Sequence, residues 1–297
     1  MITVSDYGIH PPGYRLPNET RLGRVRLQVS DIARSLAYYE RVLGLRELDE
    51  GSGVLAAHGD DRPLVELREH RGAQPVPRRG RIGLYHFAIL LPDRPALGRF
   101  LAHLEELGAY AGMSDHFVSE AIYLTDPDGL GIEVYADRPR STWRSHDGQL
   151  VMTTVPLDVE SVLQAATESP GGDTWTGMPA GTVIGHVHLH VGDLERAAAF
   201  YHAGLGLDKT VWHYPGALFL SAGGYHHHLG TNTWAAGASP AGPDDARLLE
   251  WEVVVPSRAD AAAAARSLTS ASGAVEGDGD DWLAADPWGT VVRVRGE

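Results

Sequence analysis

The sequence predicts an α+β protein assembled from four copies of one strand–helix–strand–strand–strand unit. Three observations carry that prediction. Leu22–Leu45 and Ile184–Leu207 align without a gap, with eleven identities in 24 positions. Leu84–Gly108 and Leu248–Gly273 share a strand pattern, a proline and an Ala/Leu-rich helical pattern. Each of these is followed by a tight-turn sequence between two strand patterns, DPDG from Asp126 and DPWG from Asp286. An internal repeat governs the reading of the whole chain.

Taken in order, residues 1–20 are rich in Pro and Gly and read as an irregular arm. Arg24, Arg26 and Gln28 then alternate with Val25, Leu27 and Val29, the period of a strand. Ser30 or Asp31 caps a helix whose Ile32, Leu36, Tyr39 and Leu43 share a side, and Gly44 ends it. The same pattern recurs in GTVIGHVHLHVGDLERAAAFYHAGLGL. The boundaries that follow are an arm over 1–20, a first domain of two units over 21–140, a linker over 141–180 and a second domain of two units over 181–297. VPLDVESVLQAAT places a short helix inside the linker.

The totals exclude several classes. At 297 residues each half can bury its own core. A formal net charge of −14 disfavours a nucleic-acid partner, whose phosphates it would repel. There is no cysteine, so no disulfide and no thiolate nucleophile or ligand; a metal must be held by His, Asp or Glu. MITVSDYGIH lacks a basic segment followed by an apolar one, and no apolar run approaches a membrane span. The chain reads as cytoplasmic, without a membrane partner, and leaves self-association open.

The segments YHFAILLPDR, SEAIYLTDPDGLGIEVYADRPRSTW and GGYHHHLGTNTW carry a resemblance. With four βαβββ units, they resemble the vicinal oxygen chelate superfamily, and within it the two-domain bacterial catechol 2,3-dioxygenases. The extradiol signature runs His116, five residues, Ile122, Tyr123, two residues, Asp126, Pro127, Asp128, Gly129, three residues, Glu133; Ser114 departs from it. The resemblance implies units paired into cupped, barrel-like mixed sheets, with ligands on the first and last strands of paired units.

First-strand ligand positions are then Arg24, His86, His186 and Glu250; last-strand positions are Glu66, Glu133, His228 (or His226) and Arg293. A cation cannot ligate a metal, so units two and three are expected to pair and to offer His86, Glu133 and His186. Pairing one with two and three with four would instead offer His186, His228 and Glu250. A His–His–carboxylate face with open positions suits Fe(II), with Mn(II) or another divalent transition metal as the alternative.

The resemblance further implies O2 and a small aromatic diol, catechol or a substituted catechol, as reactants. It gives Tyr123 a hydrogen bond to a substrate oxygen and makes His228 the acid/base residue, with His226 as runner-up, because 226 and 228 share a strand face and His227 faces away. His188 and His190 share the face of His186 and line the cup behind it; His116 stands beside the site or in solvent. Two other functions fit the scaffold: a glyoxalase-like isomerase or thiol transferase on Zn, Ni or Mn, and a metal-free ligand-binding or resistance protein.

Overall fold

A computed structural model describes residues 7–109, 111–170, 172 and 174–297. Unit one comprises β1 (Arg21–Val29), α1 (Ile32–Arg41), β2 (Arg46–Glu47), β3 (Val54–Ala56) and β4 (Val65–Glu69). Unit two comprises β5 (Gly83–Leu90), α2 (Arg94–Leu107), β6 (Gly112–Asp115), β7 (Ser119–Thr125) and β8 (Gly131–Asp137). A short hairpin, β9 (Ser145–His146) and β10 (Gln149–Leu150), and α3 (Val159–Thr167) lie between the halves. Unit three runs β11 (Val183–His190), α4 (Leu194–Ala198) widening into a π-helical turn over Ala199–Gly204, β12 (Asp208–Val211), β13 (Ala217–Ser221) and β14 (Leu229–Asn232). Unit four runs β15 (Arg247–Val255), α5 (Arg258–Ser272), β16 (Val275–Asp278), β17 (Asp281–Ala285) and β18 (Val291–Gly296).

The units pair two with three and one with four. One eight-stranded sheet has the order β12-β13-β14-β11-β5-β8-β7-β6, the other β16-β17-β18-β15-β1-β4-β3-β2. At each centre two first strands run antiparallel, β11 against β5 and β1 against β15. Each first strand is also parallel to its own unit's last strand. Residues 21–140 and 181–297 therefore each give one unit to each sheet.

Local chemistry explains the repeat. Asp31, Asp93, Asp193 and Ser257 cap α1, α2, α4 and α5 by accepting from the backbone N–H three residues on. In the DPDG turn, Asp126 Oδ1 accepts from the N–H groups of Asp128 and Leu130, at 2.9 and 2.8 Å. Asp286 does the same for Trp288 and Thr290. Buried tyrosines tie these turns to the neighbouring unit's helix. Tyr39 Oη reaches Asp126 at 3.4 Å, and Tyr201 Oη donates to Asp286 at 2.9 Å. One contiguous apolar core, including Tyr39, Phe87, Phe100, Tyr201 and Trp251, spans both sheets.

Of the N-terminal arm, residues 1–6 lie outside the described residues. Residues 7–20 run without regular structure along unit three, where Arg15 and His10 both bond Asp208, at 2.6 and 2.9 Å. Among the described residues no helix is long and apolar enough to cross a membrane.

Candidate metal centre

Three adjacent strands bring His86, Glu133 and His186 together. On the central strand β5, His86 and Ala88 point to one face, two residues apart. Ala88 is level with His186 of β11 on one side and with Glu133 of β8 on the other. A bulge at Gly185 sets that register, since the pairing skips from Ile184 to His186. Gly185 is required there, because a Cβ would stand 1.8 Å from Tyr135 Oη. Ala88 contributes only a methyl to the middle of the row, which leaves room for the three longer side chains to converge.

Glu133 Oε2 lies 3.0 Å from His86 Nε2 and 3.1 Å from His186 Nε2. One donor atom from each residue lies within 4.8 Å of the other two. All three are buried, at 5, 2 and 1% exposure for His86, Glu133 and His186. Two ligands held about 2.1 Å from one ion in a cis relation stand about 3 Å apart, so the spacing suits a small divalent metal. His86 Nε2 makes no hydrogen bond despite its burial: it approaches the carboxylate without pointing a proton along the line. Leaving such an atom unpaired costs about 1–3 kcal/mol, which coordination would recover.

The protonation states are those a metal needs. Burial opposes ionisation of Glu133, but His186 and His86 outweigh it and hold the carboxyl well below its usual range. Burial drives His186 down to about 4 against the pull of Glu133. The donor set is therefore two neutral imidazoles and one carboxylate.

The trio opens on a cavity of about 210 Å³, lined by His86 and Glu133 and by His116, Tyr123, His188, His227, Phe219 and Trp234 among others. His116 Nδ1 donates to the Thr153 carbonyl at 2.6 Å, since a carbonyl can only accept. Its Nε2 then accepts from Tyr123 Oη, also at 2.6 Å. Burial, reinforced by Glu133, raises the Tyr123 phenol well above 10. His188 and His190 are both held by Asn232, whose amide reaches His188 Nε2 at 2.9 Å and His190 Nδ1 at 2.7 Å. His188 also lines the cavity; His190 does not.

The histidine run behaves differently from a strand reading. Residues 226–228 precede β14, so alternation does not extend to them, and His227 is the one that lines the cavity. Neither His226 nor His228 does, which corrects the expected acid/base residue. Burial lowers His228 to about 3, and its Nδ1 accepts from the Ala222 N–H at 3.2 Å and meets Ser221 Oγ at 2.9 Å. His228 thus pins the turn after β13.

His226 lies behind His227. Its Nε2 donates to Asp137 Oδ1 at 2.9 Å, and its Nδ1 stands 2.6 Å from Nδ1 of His227. A carboxylate can only accept, so the singly protonated His226 carries its proton on Nε2 and accepts from His227 Nδ1–H. That leaves His227 Nε2 with a free lone pair, buried and without a hydrogen-bond partner. Burial, and then His186 beside it, holds His227 far below its ordinary pKa, so the ring is a neutral base.

The Glyoxalase/Bleomycin resistance protein/Dioxygenase superfamily model matches residues 21–134 and 183–282. The chain belongs to this superfamily. It is 45% identical over 275 residues to a catechol-2,3-dioxygenase of Bacillus subtilis (strain 168), covering 91% of this chain and 94% of the relative. Among solved structures it resembles glyoxalase I from Zea mays, at TM-score 0.53 and 17% identity over 94% and 92% of the two chains. It also resembles the cppA protein of Streptococcus pneumoniae TIGR4, at TM-score 0.54 and 13% identity over 93% and 99%. At those identities the likeness is one of fold.

The superfamily scaffold is present twice, and only one copy has the trio. In the sheet of units one and four the matching positions are Arg24, Glu250 and Arg293, and the place of Ala88 is taken by Glu252. These groups pair with one another. Arg293 bonds Glu250 through Nε and Nη2, both at 3.0 Å; Arg24 bonds Glu252 at 3.0 Å and Glu66 at 3.1 Å; Arg26 bonds Glu66 at 3.0 Å. Ion pairs occupy this cup where the other offers lone pairs.

Proposed function

We propose that the chain is an extradiol ring-cleaving dioxygenase that inserts O2 into catechol or a substituted catechol at an Fe(II) held by His86, Glu133 and His186. The observation that carries the reading is the convergence of two neutral imidazole nitrogens on one buried carboxylate oxygen, at 3.0 and 3.1 Å, with His86 Nε2 otherwise unpartnered. The kinship with a catechol-2,3-dioxygenase over nearly the whole chain supports it. Bound there, iron would supply positions for a chelating diol and for O2, and a path for electrons between them.

The chain's own residues do the rest. The free Nε2 of His227 accepts a proton from a diol hydroxyl and returns it later, and the Asp137–His226 pair fixes the tautomer that leaves that nitrogen free. Tyr123, its own proton committed to His116, offers phenol lone pairs to a second substrate hydroxyl. His116 is in turn oriented by the Thr153 carbonyl of the segment between the halves. The aromatic side chains of the cavity exclude water and position the ring.

Anaerobic loading with Fe(II), followed by catechol and O2, tests the reading. It requires one O2 consumed per catechol and a yellow ring-opened semialdehyde. A fully metallated protein that leaves O2 untouched with every catechol offered would refute it.

A further inference from the structure

We infer that the cavity selects uncharged catechols bearing a small apolar substituent and rejects catechols bearing a carboxylate. The inference rests on the ring-cleavage reading of the same site and names its substrate class.

Charge is the first argument. Among the described residues that line the cavity there is no lysine and no arginine, while Glu133 contributes a carboxylate. Histidine does not make up the deficit. His188 and His227 are kept neutral by burial, and both nitrogens of His116 are already engaged, with Thr153 and Tyr123. Ser114, Thr153 and Thr154 are the remaining polar lining, and hydroxyls can bond a carboxylate without neutralising it. The chain's net charge of −14 adds a repulsive field at longer range.

Shape and polarity are the second argument. Phe219 lines the cavity and belongs to a small apolar cluster with Leu150, Val211 and Ala217, separate from the main core. Met152 and Tyr214, both also lining the cavity, pack against that cluster. Tyr85 and Trp234 meet edge to face at 5.6 Å and remain 39 and 51% exposed, so the entrance too is aromatic. At about 210 Å³ the space is smaller than pockets for drug-sized ligands, room for one ring and a short arm. A methyl, ethyl or halogen arm meets Met152, Phe219 and Tyr214; a carboxylate there would be buried without a cation.

The test compares catechol, 4-methylcatechol and 3,4-dihydroxybenzoate on the Fe(II)-loaded full chain, by anaerobic binding (tryptophan fluorescence) and by O2 uptake. Expected is a preference for 4-methylcatechol over the carboxylated diol on the order of 100-fold or more, in both dissociation constant and kcat/KM. Thr154→Arg, at an exposed lining position, is expected to narrow that gap about tenfold while changing 4-methylcatechol by less than about threefold. Comparable binding and turnover of the two diols, or a gap that Thr154→Arg leaves unchanged, would overturn the inference and leave ring cleavage standing. The binding preference without turnover of any diol would sink ring cleavage and leave the selectivity standing.

Discussion

Removing the ligand that comes from the chain's second half should abolish metal-dependent stabilisation. His186→Ala deletes one of three donors from a fully buried position, so it also lowers baseline stability by leaving a cavity. The measurement is therefore a difference: the melting temperature with Fe(II) or Mn(II), less that without, for each protein under anaerobic conditions. A metal at 100 times its dissociation constant stabilises by about 2.7 kcal/mol. For a chain of this size that corresponds to roughly 5–8 °C. With two donors left the affinity falls enough that the same concentration should shift His186→Ala by less than about 2 °C. Glu250→Gln is the control: it breaks the ion pair with Arg293 in the other sheet, lowers the baseline and keeps the full shift. A metal shift retained in His186→Ala, or lost in Glu250→Gln, would refute the placement of the site.

Three further outcomes follow from the same geometry. His227→Gln should leave metal content unchanged and lower kcat by about 10²–10⁴, whereas His228→Gln should change kcat less than about tenfold; steady-state O2 uptake separates them. Ala88→Leu should cost about 1–3 kcal/mol in urea unfolding and abolish metal uptake, since the longer side chain fills the middle of the ligand row. Asp126 carries the pH prediction. Burial raises its pKa from 3.8 to about 7, so the folded chain holds a proton there that the unfolded chain has released. Its stabilising contribution is full below about pH 4 and lost as pH rises through about 7, a loss of roughly 4 kcal/mol at most. Asp126→Asn should flatten the stability profile over that range; an unchanged slope would count against it.

How much of this was legible in the sequence depends on whether regular backbone carried the residue. His86, Glu133 and His186 lie within strands, where period-two counting and the repeat hold, and the structure brings those three together. Pairing of two with three and of one with four could be read from chemistry, because Arg24 and Arg293 cannot ligate. His227 was not legible by alternation: Gly223 and Gly224 form a turn before it, both with positive φ (61 and 62°), and strand counting fails across a turn. Those two glycines were the available signal. The segment between the halves read as a linker, yet it supplies Met152, Thr153 and Thr154 to the cavity and a carbonyl to His116. A main-chain acceptor leaves no trace in residue identity, and neither does the Asp137 carboxylate reaching His226 across units.

The most direct test of the central claim is iron-edge X-ray absorption on the Fe(II)-loaded protein, with anomalous diffraction from crystals of the same preparation. The account predicts one iron per chain, bound by the imidazoles of His86 and His186 and the carboxylate of Glu133, with solvent in the positions left open. Iron located elsewhere, or bound without His186, would contradict it.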